Sequence, residues 1–301
     1  MNLEEIAPGI AYGTTVFVNV YFVGDRDGWI LVDCGIPKFA AVIRAAAQER
    51  FGDIAPRAII LTHGHFDHAS NARELAEAWN CPIFAHDLEL PYLTGRSDYP
   101  PADPTVGGAI AQMSRVLPSK SVDLGEHLQA LQSDGENEGG AVPGINGWRW
   151  IATPGHSPGH VSLVRESDNA ILAGDAIATM NMDSWLGMAT KKQELWRAGS
   201  PFNCDWQATH DSVRKLTALA PSLLACGHGI PMSDANLMRD LQDFAARFEI
   251  PEHGRYVEGA AQADESGVTN LPPAPADRIA KMWLIGAAIL AAIFLLRRKT
   301  K

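Results

Sequence analysis

Apolar positions in this chain fall into short runs divided by Gly, Pro, Asn and Asp, the spacing of brief strands alternating with helices. Residues 14–23 and 28–33 predict a strand pair across the turn Asp25-Arg26-Asp27-Gly28. Residues 38–50 are Ala-rich with helical spacing and lead to the strand Ala58-Ile59-Ile60-Leu61. A helix over 71–79 and a strand over 82–85 complete a βα repeat. Trp148 and Trp150 alternate about Arg149, as in a strand with one buried face. Two further runs, Ala170-Ile171-Leu172-Ala173-Gly174 and Leu223-Leu224-Ala225, read as buried strands, and residues 233–248 as a helix.

Two stretches break the pattern. Residues 92–146 contain Tyr99-Pro100-Pro101-Ala102-Asp103-Pro104, a short helix over 106–116 and a Gly-rich acidic run over 134–144. Connections this long in compact domains are commonly lids, binding loops or excursions. Residues 178–200 carry Met180, Met182, Trp185, Met188 and Trp196 without clear periodicity. Ordinary core packing and a substrate-pocket wall explain them equally well. On the second reading Trp185 and Met188 face an apolar portion of the substrate.

The composition shifts after residue 257. Residues 258–278 are polar and Pro-containing, whereas 282–296 are uncharged and apolar and end in Arg297-Arg298-Lys299-Thr300-Lys301. That apolar run falls short of the ~20 residues of a full bilayer span. Extension back to Ile279, with Lys281 snorkelling, brings it near the lower limit. The chain is therefore expected to comprise a catalytic body over 1–257, a linker over 258–278, and a C-terminal hydrophobic helix over 279–301 that anchors it to a membrane. The basic tail favours a cytoplasmic C-terminus, and Met1-Asn2-Leu3-Glu4-Glu5 lacks the features of a secretory signal, which places the catalytic body in the cytoplasm too. An in-plane anchor on anionic lipid satisfies both expectations.

Composition narrows the function classes. The 301 residues, 46% of them hydrophobic, can bury one substantial core. A formal net charge of −10, with no Lys/Arg-rich stretch in the catalytic body, argues against a nucleic-acid partner and for a small-molecule substrate. Cys34, Cys81, Cys204 and Cys226 show no paired spacing and read as buried thiols in a reducing compartment.

The chemistry concentrates in Leu61-Thr62-His63-Gly64-His65-Phe66-Asp67-His68, directly after an apolar strand. Imidazole and carboxylate are the ligands that zinc and similar divalent ions prefer. His63 and His65 point the same way if the chain stays extended, while Asp67 and His68 lie a turn further on, at the entry to a helix, and reach a second point. A helix N-cap needs one polar residue and does not explain three histidines. Three other candidate ligand residues stand just past apolar strands: His156 after Thr153-Pro154-Gly155, Asp175 after residues 170–174, and His228 between Gly227 and Gly229.

The order and character of these residues resemble the metallo-β-lactamase-fold metallo-hydrolase superfamily, in its glyoxalase II and lactonase-like branches. The resemblance covers residues 10–250 and rests on His63, His65, Asp67 and His68, followed by His156, Asp175 and His228. It implies an α/β fold, an αβ/βα four-layer sandwich with two mixed sheets face to face and helices outside. It implies two Zn2+ ions, with Fe or Mn as substitutes. His63, His65 and His156 would hold one ion, Asp67, His68 and His228 the other, and Asp175 would bridge them. Asp33 matches a buttress near the site, His160 a structural residue, and Asp67 a proton shuttle.

The implied enzyme is a binuclear metal-dependent hydrolase. Two divalent ions share a water, lower its pKa from 15.7 toward about 7, and turn the resulting hydroxide on the carbonyl of a small ester, thioester or lactone. β-Lactam hydrolysis uses the same machinery. A mononuclear iron sulfur dioxygenase is the alternative from another class, and the complete second ligand set weighs against it.

Overall fold

In a computed structural model, which describes residues 1–135 and 138–277, the chain folds around two facing sheets. The first has seven strands: β1 (Glu4–Ala7), β2 (Ile10–Thr15), β3 (Val18–Asp25), β4 (Gly28–Val32), β5 (Ala58–Ile60), β6 (Ile83–Ala85) and β7 (Leu128–Ala130), in that order across the sheet. β1 to β4 pair antiparallel, and β4 to β7 continue parallel. The second sheet contains β8 (Gly139–Ala141), β9 (Trp148–Ala152), β10 (Val161–Arg165) and β11 (Ala170–Gly174). It is closed on the β11 side by the later strand that ends at Cys226.

Strand alternation decides the layers. Tyr21, Val23, Ile30, Val32, Ala58 and Ile60 face the second sheet and pack with Trp148, Trp150, Val161, Leu163, Ala170 and Leu172. Their odd or even neighbours, Val20, Phe22, Trp29, Leu31 and Ile59, turn outward onto α1 (Ala40–Phe51). The short α2 (Phe66–Ala69) leads into α3 (Ala72–Trp79), which covers the same face. Trp29 stacks on Phe51 at 4.3 Å and meets Trp79 edge-on at 5.6 Å. Such ring pairs add about 0.5–1.5 kcal/mol beyond their buried area. The four layers expected from the sequence are thereby present in the described residues.

The connections carry the remaining elements. After β6 come α4 (Leu90–Leu93) and α5 (Ala109–Met113). Beyond β11 lie β12 (Ala178–Met180), α6 (Trp185–Thr190) and β13 (Gln193–Trp196), a hairpin with a helix at its tip. α7 (Trp206–Ala218) precedes β14 (Leu223–Cys226), the strand beside β11, and α8 (Leu237–Ala246) follows it. α7 and α8 cover the outer face of the second sheet through Val213, Leu216, Leu237 and Leu241.

Several expectations change. The predicted strand over 14–23 is a hairpin, because the chain turns at Val16 with φ +64° before β3 begins. The helix expected over 106–116 is confined to α5. Part of the segment read as a linker is a docked hairpin, β15 (Gln262–Asp264) with β16 (Gly267–Asn270). It is held by Ala261 N donating to the Cys204 carbonyl and by Val268 N donating to Ser97 Oγ. The expected membrane anchor over 279–301 lies outside the described residues. Among the described residues no helix is long and apolar enough to cross a membrane.

Candidate metal centre

The strand ends converge. β5 runs on toward Thr62 and His63, β11 ends at Gly174 just before Asp175, β14 ends at Cys226 just before Gly227-His228, and the loop after β9 carries His156. Parallel pairing of β11 with β14 places Gly174 opposite Cys226 and so brings Asp175 and His228 together. Gly227 fits between them because a Cβ there would collide with the Asp175 carboxylate and the His68 ring.

Three overlapping groups of donors result: His63, His65 and His156; His63, His68 and Asp175; and Asp67, His68 and His228. His65 Nδ1 lies 2.9 Å from His156 Nε2. Asp175 Oδ2 is 3.1 Å from His228 Nε2 and 3.5 Å from His156 Nε2, while Oδ1 is 3.6 Å from His68 Nε2. The Asp175 carboxylate thus lies between the two sets. Asp67 Oδ2 reaches within 3.7 Å of His228 Nε2 and 4.0 Å of His68 Nε2.

Four of the five rings are aimed by their other nitrogen. His63 Nδ1 meets Thr62 Oγ1 at 3.0 Å, and His156 Nδ1 meets Asn203 Oδ1 at 3.0 Å. His68 Nδ1 contacts Asp33 Oδ2 at 2.8 Å, and His228 Nδ1 contacts the Phe17 carbonyl at 2.9 Å. Asp33 also accepts from Thr62 N at 2.9 Å and from the Thr62 hydroxyl. It sits at φ +59°, a region that costs a non-glycine residue roughly 1 kcal/mol or more. His160 is buried, with Nδ1 at 2.9 Å from Thr153 Oγ1 and Nε2 accepting from the Asp175 backbone N–H at 2.9 Å. It orients Asp175 from behind and belongs to none of the three donor groups.

Charge divides the cluster. Burial and the neighbouring imidazoles push His63 and His65 well below the ordinary imidazole range. Burial also lowers His156, and it takes His160 down to about 3. His68 experiences the same burial, yet Asp175, Asp33 and Asp67 outweigh it and lift His68 well above its usual value. Burial acts upward on Asp175, but His228 and His68 hold it well below the carboxylate range.

A divalent cation fits this donor set. Among the described residues, His63 Nε2, His68 Nε2 and Asp175 Oδ1 are buried and find no hydrogen-bond partner, and these three residues form one of the donor groups. Buried polar atoms left unpaired are costly, and a cation satisfies all three at once.

Above the donors opens a narrow cleft whose wall is apolar: Phe17, Phe66, Ile110, Leu117, Met182 and Phe202. Phe17 comes from the Val16 turn and stacks on His228 at 5.8 Å. Of this wall the sequence pointed only to Met182, within the 178–200 stretch read as core or pocket wall; Asn203 carried no signal, no turn residue marks Val16, and Ile110, Leu117 and Phe202 lie in connections whose spacing points to no site. Trp185 and Met188, expected in the pocket, lie elsewhere. Trp185 is 61% exposed on α6, and Met188 packs behind the wall with Ile110 and Met182. His86 caps the 3-10 turn after β6, accepting from Leu88 N at 3.2 Å. Cys226, two residues from His228, points into the outer core, where burial pushes its thiol up.

The family profile of the metallo-beta-lactamase superfamily matches residues 13–228. The chain belongs to this superfamily. A probable metallo-hydrolase of Bacillus subtilis (strain 168), YflN, is 41% identical over 248 residues, covering 81% of this chain and 92% of that protein. A hydroxyacylglutathione hydrolase of Acidiphilium cryptum (strain JF-5) is 25% identical over 286 residues, covering 93% of each. The solved structure of a β-lactamase domain protein from Burkholderia ambifaria shares the fold with a TM-score of 0.55 at 20% identity, over 81% of this chain and 76% of that one. The histidine and aspartate cluster of this superfamily member offers donor groups that could hold a divalent metal.

Proposed function

We propose that the protein is a binuclear zinc hydrolase acting on a small ester, thioester or lactone. The observation that carries this reading is the pair of donor sets opening onto one apolar cleft. His63, His65 and His156 would hold one ion, Asp67, His68 and His228 the other, and Asp175 would contribute to both. When bound, the ions would supply Lewis-acid polarisation of a carbonyl and lower the pKa of a water toward about 7.

The chain's own groups do the rest. Asp67 keeps 13% of its side chain exposed and lines the cleft, so its carboxylate takes the proton of the attacking water and returns it to the leaving group. Phe17, Ile110, Leu117 and Phe202 exclude water and seat the apolar part of the substrate. The similarity to a hydroxyacylglutathione hydrolase supports a thioester carbonyl among the substrates. Two zinc per chain, with turnover of thioester or lactone in a panel that also holds β-lactam and phosphodiester compounds, is the expected result. One iron per chain with oxidation of a persulfide would instead establish the dioxygenase.

We also infer that residues 279–301 attach the catalytic body to the cytoplasmic face of a membrane, on the strength of the uncharged 282–296 run and its basic end. Deletion of 279–301 should move the protein to the soluble fraction. An unchanged distribution removes the anchor from the picture.

A further inference from the structure

One buried carboxylate beside the metal centre has no part in the reaction above. Glu89 ends the 3-10 turn before α4 and is fully buried. Its Oε1 accepts from Ser157 Oγ at 2.7 Å and from Gly159 N at 2.8 Å. Its Oε2 accepts from Gly64 N at 3.0 Å and from the Tyr99 hydroxyl. Gly64 stands between His63 and His65, and Ser157 follows His156. One side chain therefore ties together the two loops that supply the first donor set. Burying a carboxylate is expensive unless its lone pairs are filled, and here four donors fill them.

Packing reinforces the hydrogen bonds. A Cβ at Gly64 would strike the Tyr99 hydroxyl and Leu93, and one at Gly159 would come within 2.9 Å of Glu89 Cγ. The glycines of both ligand loops are thus the residues that let Glu89 and Tyr99 approach. Tyr99 in turn stacks on Tyr92 at 4.1 Å and lays its ring against His65 at 4.5 Å.

We propose that Glu89 is a positioning residue for the metal centre: by clamping the Gly64 and Gly159 backbones it fixes the separation of His65 from His156 and thereby sets the affinity of that donor set. The inference rests on the metal reading above. It assigns Glu89 no contact with metal or substrate.

The test uses the full chain and reads metal affinity. Glu89→Gln keeps the volume but turns an NH2 donor against two of the four donors. Zinc affinity by chelator competition should fall about 10–100-fold at the site formed by His63, His65 and His156, and the absorption spectrum of the cobalt-loaded protein should shift. Tyr99→Phe and Ser157→Ala each remove one donor and should weaken zinc several-fold while leaving the metal-free Tm near wild type. A clamp that served folding alone would lower that Tm and leave affinity and cobalt spectrum unchanged, which overturns the proposal. If Glu89→Gln does not fold, the two single-donor variants decide, and wild-type affinity in both likewise overturns it. A wild-type protein that binds no metal would instead defeat the functional reading.

Discussion

The ring of metal donors and the wall of the cleft above it stand side by side but are assembled in opposite ways. The donors sit in the loops that leave β5, β9, β11 and β14 or in the short α2 after β5, and the rings of His63, His156, His68 and His228 are each fixed by a second hydrogen bond, to Thr62, Asn203, Asp33 and the Phe17 carbonyl. The wall comes from connections: the Val16 turn, the segment around α5, and the residues flanking the β12–β13 hairpin. A sheet holds its strand ends rigidly and leaves the loops free to vary, so chemistry is expected to depend on the first region and substrate choice on the second.

The largest effect that tests this contrast is metal removal. Exhaustive chelation should abolish turnover by at least about 1000-fold, with recovery on adding zinc. Persistence of activity in protein shown metal-free by elemental analysis would break the comparison at its root. Next comes Asp175→Ala, which takes away the carboxylate between the two donor sets. We expect kcat to drop roughly 100-fold or more and bound zinc to fall from two per chain toward one. Asn203→Ala leaves every donor in place but frees the His156 ring, so zinc affinity should weaken by about 10–100-fold in a chelator titration.

The wall should respond differently. Phe17→Ala removes a ring that stacks on His228 and lines the cleft. Losing about 1–2 kcal/mol of apolar contact should raise KM roughly 5–30-fold for a substrate with an acyl chain, with kcat nearly unchanged. A kcat loss without a change in KM would show that the Phe17 ring instead positions His228 by stacking on it. The smallest effect is expected at Trp185→Ala. This ring projects into solvent from α6, and steady-state kinetics should stay within about twofold of wild type.

Legibility in the sequence followed the same division. His63, His65, Asp67 and His68 could be read because four candidate ligand residues within one short run have no common structural explanation. His156, Asp175 and His228 could be read because each ends an apolar run. Asp33 was legible by resemblance, and its hydrogen bonds to Thr62 and His68 give that position a physical meaning. Apart from Met182, the wall was not legible. Phe17 looked like one more residue of a strand, since Thr14 to Val23 contains no Gly or Pro to mark the turn at Val16. Trp185 and Met188 were drawn toward the pocket by their size, yet one faces solvent and the other the space behind Met182.

By itself, then, the sequence determined which residues carry the chemistry and that strands would present them, because donor type and two-residue alternation are local properties. Only the tertiary structure decided which donors meet, that Asp175 lies between the two sets, which side chains wall the cleft, and that Glu89 reaches both ligand loops. Those facts depend on contacts between residues far apart in the chain, such as β11 with β14 and Glu89 with Gly64 and Gly159. The register and packing that create such contacts are settled by the whole core at once, and no single stretch of sequence encodes them.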